Sequence, residues 1–124
     1  MAFLIDTNIL FAILKGDEHL KLFVESNDCG LDSTVYVECI QGSKSNREKR
    51  IIIEYLRRFR LYYHTPTVSQ RTIHLIDRYS NSHGLLLPDA QIAAVALERG
   101  LELATLDTND LRFIKELKLA KINV

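Results

Sequence analysis

The most informative segment of the chain is FLIDTNIL, residues 3–10. Its first three residues form a short apolar run that stops at a polar residue, which predicts a buried strand of the parallel type. Asp6 follows at once, and apolar residues resume at Ile9 and Leu10. A carboxylate between two hydrophobic stretches is at least partly buried, and its charge then needs compensation. The sequence therefore raises the question of what compensates Asp6.

The rest of the sequence predicts an alternation of short strands and helices. The predicted strands are 3–5, 29–31, 61–64, 101–105 and an edge strand at 120–124. The predicted helices are 8–15, 17–26, one capped by Ser33 or Thr34 that runs to 42, 47–59 capped by Asn46, 67–82, 88–100 and 109–117. This order predicts the α/β class, with a mainly parallel sheet and helices on both faces. In such sheets, ligands bind beyond the carboxyl ends of the strands.

Length and composition predict one domain over residues 1–124, with the 47% apolar fraction of an ordinary globular protein. Cys29 and Cys39 lie in apolar surroundings without metal-ligand spacing, as reduced core cysteines do. The N-terminus lacks the cationic start of a signal peptide. No apolar run approaches the roughly 20 residues that cross a bilayer. We therefore expect a cytoplasmic protein that does not enter membranes.

Charge is balanced overall, at 16 basic and 16 acidic residues, but it is unevenly distributed. The segment 44–60 holds seven basic and two acidic residues, a net charge of +5. Such a patch can attract a polyanion. The alternative is a solvated helix face on which Arg50 and Glu54 pair at i, i+4.

Four acids occupy positions that composition does not explain. Asp6 ends the first predicted strand, and Asp107 follows the strand that ends at Thr105; Glu38 and Asp89 lie on predicted helices. These positions also have explanations that involve no functional site. Asp89 in a first turn complements the helix dipole, Glu38 is solvated, and Asp107 is a turn residue.

Taken together, these acids indicate a metal site at the carboxyl edge of the sheet. Carboxylates gathered there repel one another and raise their pKa values unless a cation joins them. Carboxylate oxygens and waters are the ligands of Mg²⁺ and Mn²⁺. A metal held in this way activates water for in-line displacement at phosphorus. On this interpretation Asp6 has no protein partner, and its charge is compensated by the metal.

Four short motifs resemble those of PIN-domain ribonucleases, in the same order along the chain. They are Asp6-Thr7-Asn8 after an apolar strand, Thr34-Val35 to Glu38 with Gly42 beyond, Leu87-Pro88-Asp89-Ala90, and Thr105 with Asp107 and Asp110 in TLDTNDL. These motifs span nearly the whole chain. The compact length resembles the VapC-like toxins of type II toxin–antitoxin systems.

The resemblance implies a PIN-like three-layer α/β/α sandwich, with a central, mainly parallel sheet of four to five strands. It implies a Mg²⁺- or Mn²⁺-dependent endoribonuclease in which metal-activated water cleaves RNA phosphodiester bonds. The implied catalytic and metal-binding acids are Asp6, Glu38, Asp89 and Asp107, and the residues implied to shape the site are Thr7, Asn8, Thr105 and Asp110.

The resemblance also implies partners: an RNA substrate, a homodimeric assembly and a cognate VapB-like antitoxin whose tail covers the active cleft. Lys44, Arg47 and Arg50 then become candidates for contact with RNA or with the antitoxin. The alternative is a catalytically inactive PIN-like module that binds RNA or protein. Such modules lose one or more acids, and all the core acids are present here.

Two features depart from the family pattern. Many members carry Asn where Asp107 stands, with the nearest acid at the position of Asp110, and Leu111 replaces a common Phe. We favour Asp107 as the fourth acid because it directly follows the strand, and Asp110 is then the alternative. The four histidines, His19, His64, His74 and His83, show no ligand spacing and are predicted to be surface or half-buried residues.

Overall fold

The structure is a computed structural model that describes residues 2–122. Within that range a four-stranded, all-parallel sheet is flanked by seven helices, which confirms the predicted α/β/α sandwich. The elements are β1 (Ala2–Ile5), α1 (Thr7–Leu14), α2 (Glu18–Ser26), β2 (Asp28–Asp32), α3 (Ser33–Gln41), α4 (Asn46–Leu56), β3 (Arg60–Tyr62), α5 (Pro66–His83), α6 (Leu87–Arg99), β4 (Glu102–Ala104) and α7 (Thr108–Leu111).

The order of the strands places β1 inside the sheet, between β2 and β4. The sheet runs β3-β2-β1-β4, so the chain first builds outward to β3 and then crosses back to the other side of β1. Leu4 pairs with Gly30 of β2 on one side and with Leu103 of β4 on the other. The direction of strand order thus reverses between β1 and β4, which is where open parallel sheets bind ligands.

Gly42 controls how closely α1 and α3 pack. A Cβ atom on Gly42 would lie 2.8 Å from the Phe11 ring, so only glycine leaves room for that ring. Phe11 is on α1, and Gly42 is the residue that follows α3. This close approach is what brings the N-terminal turn of α1 beside Glu38 of α3.

Two predicted helix caps were wrong. Asn46 does not cap α4: the Glu48 amide donates to Ser45 Oγ at 3.0 Å, and the helix ends at Leu56 rather than at residue 59. Neither Ser33 nor Thr34 caps α3, because Asp32 accepts that hydrogen bond. In both cases a capable side chain lies one residue earlier in the sequence, where the chain is still extended.

The predicted helix 109–117 is also wrong beyond Leu111. The amide of Ile114 donates to the Leu111 carbonyl and that of Leu117 to the Ile114 carbonyl, both at 3.1 Å. These i, i+3 bonds close separate turns, and they still bury all three apolar side chains. The edge strand predicted at 120–124 does not form over residues 120–122, and residues 123–124 lie outside the described range. The nearest pairing is one parallel bridge between Leu103 and Leu119.

The two cysteines are unpaired and buried, as expected for core residues. Burial raises the pKa of both thiols to about 12, which makes them poor nucleophiles. None of the helices within residues 2–122 has the length and apolar character needed to cross a membrane.

Candidate active site

Asp6 lies at the carboxyl end of the central strand, with 6% of its surface exposed. The Thr7 amide donates to its Oδ1 and the Thr105 hydroxyl to its Oδ2, both at 2.7 Å. The expectation that Asp6 has no protein partner was therefore wrong. Both donors are neutral, so they orient the carboxylate without cancelling its charge. Burial outweighs them and raises the pKa of Asp6.

Asn8 ties the ends of β1 and β4 together. Its amide nitrogen donates to Thr105 Oγ1 at 3.1 Å and to Asp107 Oδ2 at 3.0 Å. Its carbonyl oxygen accepts from the Leu106 amide at 3.1 Å. The Asp107 amide donates to Thr105 Oγ1 at 3.0 Å. Thr105 Oγ1 thus accepts two hydrogen bonds and donates one, to Asp6. The atom of residue 6 that contacts this hydroxyl must therefore be a hydrogen-bond acceptor.

Glu38 joins this group from α3. The Thr7 hydroxyl donates to Glu38 Oε1 at 2.8 Å, which links the start of α1 to the middle of α3. Glu38 is half-buried, so the solvated-helix alternative for this residue does not describe its surroundings.

Asp89 contributes from the first turn of α6 and is half-buried. Burial, and after it the charges of Asp6, Glu38, Asp107 and Asp110 in that order, together raise its pKa to about 6. Four other carboxylates are therefore close enough to affect the pKa of Asp89. The four acids of the predicted site do come together at this edge of the sheet.

The structure separates the two candidates for the fourth acid by their surroundings. Both side chains are exposed. Asp107 raises the pKa of Asp6 as well as that of Asp89, whereas Asp110 acts only on Asp89. Asp107 also accepts from Asn8, the residue that joins the two strand ends. Asp107 is therefore the better placed of the two to act with Asp6.

A polar network at the end of β2 escaped the sequence analysis. Asp32 is fully buried, and its Oδ1 accepts from the Val35 amide at 3.0 Å while its Oδ2 lies 2.9 Å from His64 Nε2. His64 Nε2 also lies 3.2 Å from the hydroxyl of Thr34, which donates to Gln91 of α6 at 3.0 Å. The available signal was an acid directly after an apolar strand. This network braces β2, β3, α3 and α6 beside the acids.

The family model for the PIN domain matches residues 3–116 of this chain. The chain belongs to the PIN domain family. No curated protein matches it in sequence. The PIN domain assignment confirms the resemblance drawn from the four motifs.

Chains in three solved structures share this fold over almost their whole length. A chain in a toxin–antitoxin complex from Klebsiella pneumoniae is 27% identical, with a TM-score of 0.78 over 92% of this chain and 93% of that one. Similar chains also occur in two other structures. A chain of DNA-bound VapBC from Salmonella typhimurium is 21% identical, with a TM-score of 0.85 over 97% of each chain. A chain of VapBC-1 from nontypeable Haemophilus influenzae is 20% identical, with a TM-score of 0.82 over 98% of each chain.

The acids of this PIN domain fit a hydrated divalent cation better than a closed metal cage. Within residues 2–122, no three His, Cys, Asp or Glu side chains converge into a ready metal-binding group. Mg²⁺ keeps several of its waters and needs only one or two carboxylates from the protein. The pKa of Asp89 is raised first by burial and then by the charges of four other carboxylates, so negative charge is in excess at this edge. Hard oxygen donors with uncompensated charge are what such a cation requires.

The predicted basic contacts lie on exposed surfaces away from this cluster. Arg47 and Arg50 line an open groove of about 740 Å³ on the outer face of α4, and Lys44 lines a neighbouring apolar groove. The predicted pair between Arg50 and Glu54 is not formed; Glu54 instead lies 3.4 Å from Arg57.

Asp89→Asn should stabilise the metal-free protein, with a pH dependence fixed by the raised pKa. Unfolding returns Asp89 to its ordinary pKa of 3.8, so wild type loses stability as the pH rises from about 4 to about 6. Above pH 6 we expect the variant to be more stable by about 1–2 kcal/mol, after discounting for solvent screening.

Thermal unfolding in EDTA at pH 4 and pH 7.5 measures this difference. The two proteins should converge at pH 4. A variant less stable than wild type at pH 7.5 would mean that the helix dipole interaction of Asp89 outweighs the repulsion.

Proposed function

We propose that this PIN domain is a VapC-like toxin, a metal-dependent endoribonuclease that hydrolyses RNA phosphodiester bonds. The observation that carries the proposal is the group of four acids, Asp6, Glu38, Asp89 and Asp107, at the point where strand order reverses. The inactive binding module is less favoured because each of these acids is present and the charges of Asp6, Glu38 and Asp107 all act on Asp89.

The residues of the site divide into those that hold a cation and those that position them. Asp6, Asp89 and Asp107 are the proposed Mg²⁺ or Mn²⁺ ligands, with Glu38 acting directly or through water. When bound, the ion lowers the pKa of a water and neutralises charge on the scissile phosphate. Hydrogen bonds from the first turn of α1 and from the end of β4 fix the carboxylates in place before substrate arrives.

The proposed partners follow from the same assignment. Solved relatives are complexes named toxin–antitoxin or VapBC, and by analogy we propose a VapB-like antitoxin for this chain, together with a homodimeric, cytoplasmic toxin. The exposed basic residues Lys44, Arg47 and Arg50 are proposed to guide RNA or to meet the antitoxin. These residues are positively charged and lie on a different surface from the acids, which suits contact with RNA or with the antitoxin.

The function is tested by incubating purified protein with a structured RNA that contains single-stranded loops. We expect cleavage with Mn²⁺ or Mg²⁺, no cleavage with EDTA, and recovery when metal is added in excess. Glu38→Gln, purified in parallel, controls for contaminating ribonuclease. Cleavage that is unaffected by EDTA, or is equal in the variant, would reject the proposal. RNA binding without cleavage would favour the inactive module instead.

A further inference from the structure

A cleft of about 330 Å³ opens beside the acid cluster, between the end of α5, the start of α6 and α7. It is lined by His83, Gly84, Leu85, Leu86, Asp89, Asn109, Asp110 and Phe113. Asp89 belongs both to this cleft and to the proposed metal site. Whatever occupies the cleft therefore lies next to the phosphate that would be cut.

One wall of the cleft is a flat aromatic surface. The His83 ring stacks on Phe113, with centroids 4.2 Å apart and planes at 17°. Tyr79 is buried and supports Phe113, at 4.9 Å between centroids. Ser82 Oγ lies 2.7 Å from His83 Nδ1 and holds the ring's orientation. His83 is exposed, and Leu86 is 69% exposed. Because His83 lines the cleft and is exposed, a planar group that enters the cleft can stack on its ring.

The charge of the lining selects the occupant. Two carboxylates, Asp89 and Asp110, face the cleft, and no Lys or Arg is among the lining residues that the structure describes. A phosphate group would be repelled. A planar group with N–H donors could donate hydrogen bonds to the carboxylate of Asp110 and to the side-chain carbonyl of Asn109.

We propose that this cleft binds one base of single-stranded RNA next to the bond that is cut. The base stacks against His83 and donates to Asp110 and Asn109, so adenine, cytosine and guanine, which carry exocyclic amino groups, bind better than uracil. The choice of RNA rests on the proposed function. Stacking on an aromatic side chain tolerates every base, whereas the carboxylate supplies the preference for donors.

Nucleosides test the cleft without requiring cleavage. Adenosine, cytidine and uridine are titrated into metal-free protein in EDTA, and the ring resonances of His83 and Phe113 are followed by NMR. We expect both rings to shift, with uridine the weakest ligand. His83→Ala should weaken binding roughly 10-fold, within the range found for base stacking. His83→Phe should retain it, and His74→Ala, exposed on the same helix, should change nothing.

A second set of ligands distinguishes a base of RNA from a free nucleotide and from a protein side chain. Short oligoribonucleotides should bind more tightly than the matching mononucleotides if RNA is the ligand, and equal affinities would indicate a free nucleotide and overturn the proposal. Arginine amide is included because a guanidinium is also planar and rich in donors. Shifts of His83 and Phe113 with arginine amide alone would assign the cleft to a protein side chain and overturn the proposal.

Cleavage assays distinguish failure of this proposal from failure of the nuclease assignment. Asp110→Asn should reduce the discrimination against uridine in binding and alter which loop positions are cut. Nucleoside binding without any RNA cleavage would leave the base site standing and reject the nuclease. Cleavage at unchanged positions by His83→Ala, with no nucleoside binding to wild type, would reject the base site and leave the nuclease standing.

Discussion

Asp6→Asn should reduce metal-dependent RNA cleavage by about 100-fold or more while leaving the fold intact. The substitution preserves the volume of a side chain that is only 6% exposed, but removes a charge from the proposed cation site. It also disturbs the position of that side chain. Thr105 Oγ1 already accepts from Asn8 and from the Asp107 amide, so an NH₂ group at residue 6 finds no acceptor there.

Asp17→Asn is the matched control for this change. Asp17 caps α2 through a 3.0 Å bond from the Leu20 amide, as Asp6 caps α1, and it is not among the charges that raise the pKa of Asp6 or Asp89. We expect Asp17→Asn to cleave RNA at the wild-type rate. Initial rates on one RNA, with circular dichroism of all three proteins, measure both effects. Similar rates for Asp6→Asn and wild type would show that Asp6 holds no essential ion.

Asp32→Ala should produce the largest loss of stability, about 2–4 kcal/mol. Asp32 is fully buried, and its two oxygens cap α3 and contact His64. Alanine removes the cap and leaves the polar nitrogen of a half-buried imidazole without its carboxylate partner. For a domain of this size the loss corresponds to a fall of roughly 10 °C in Tm.

The contribution of His64 is isolated by comparison with Asp17→Ala. Both aspartates accept a 3.0 Å bond from the amide three residues later, but only Asp32 also contacts a histidine. Asp17→Ala should therefore cost only the cap, about 1 kcal/mol. Urea unfolding of the two variants and of His64→Ala gives the three values. Equal losses in the two aspartate variants would show that the contact with His64 contributes nothing to stability.

The sequence predicted which acids lie near one another better than it predicted the ends of the elements. Asp6 and the acid after β4 were predicted to lie together because parallel strands end at one edge, and a single sequence shows where strands end. It does not show hydrogen bonds between distant residues, so the Thr105 donor to Asp6 and the Asp32–His64 contact could not be found. The spacing of Leu111, Ile114 and Leu117 suits both a helix and a series of turns, and only packing decides between them.

The hydrogen bond from Thr105 to Asp6 joins residues 99 positions apart, and the strand that precedes Thr105 is the last of the sheet. During translation, a growing chain therefore exposes Asp6 long before the groups that orient it have been synthesised. Thr105, which donates to Asp6, and the acid Asp107 become available only after β4 has left the ribosome. For the toxin proposed above, this dependence delays activity until the protein is almost complete, which leaves time for an inhibitor to be present first.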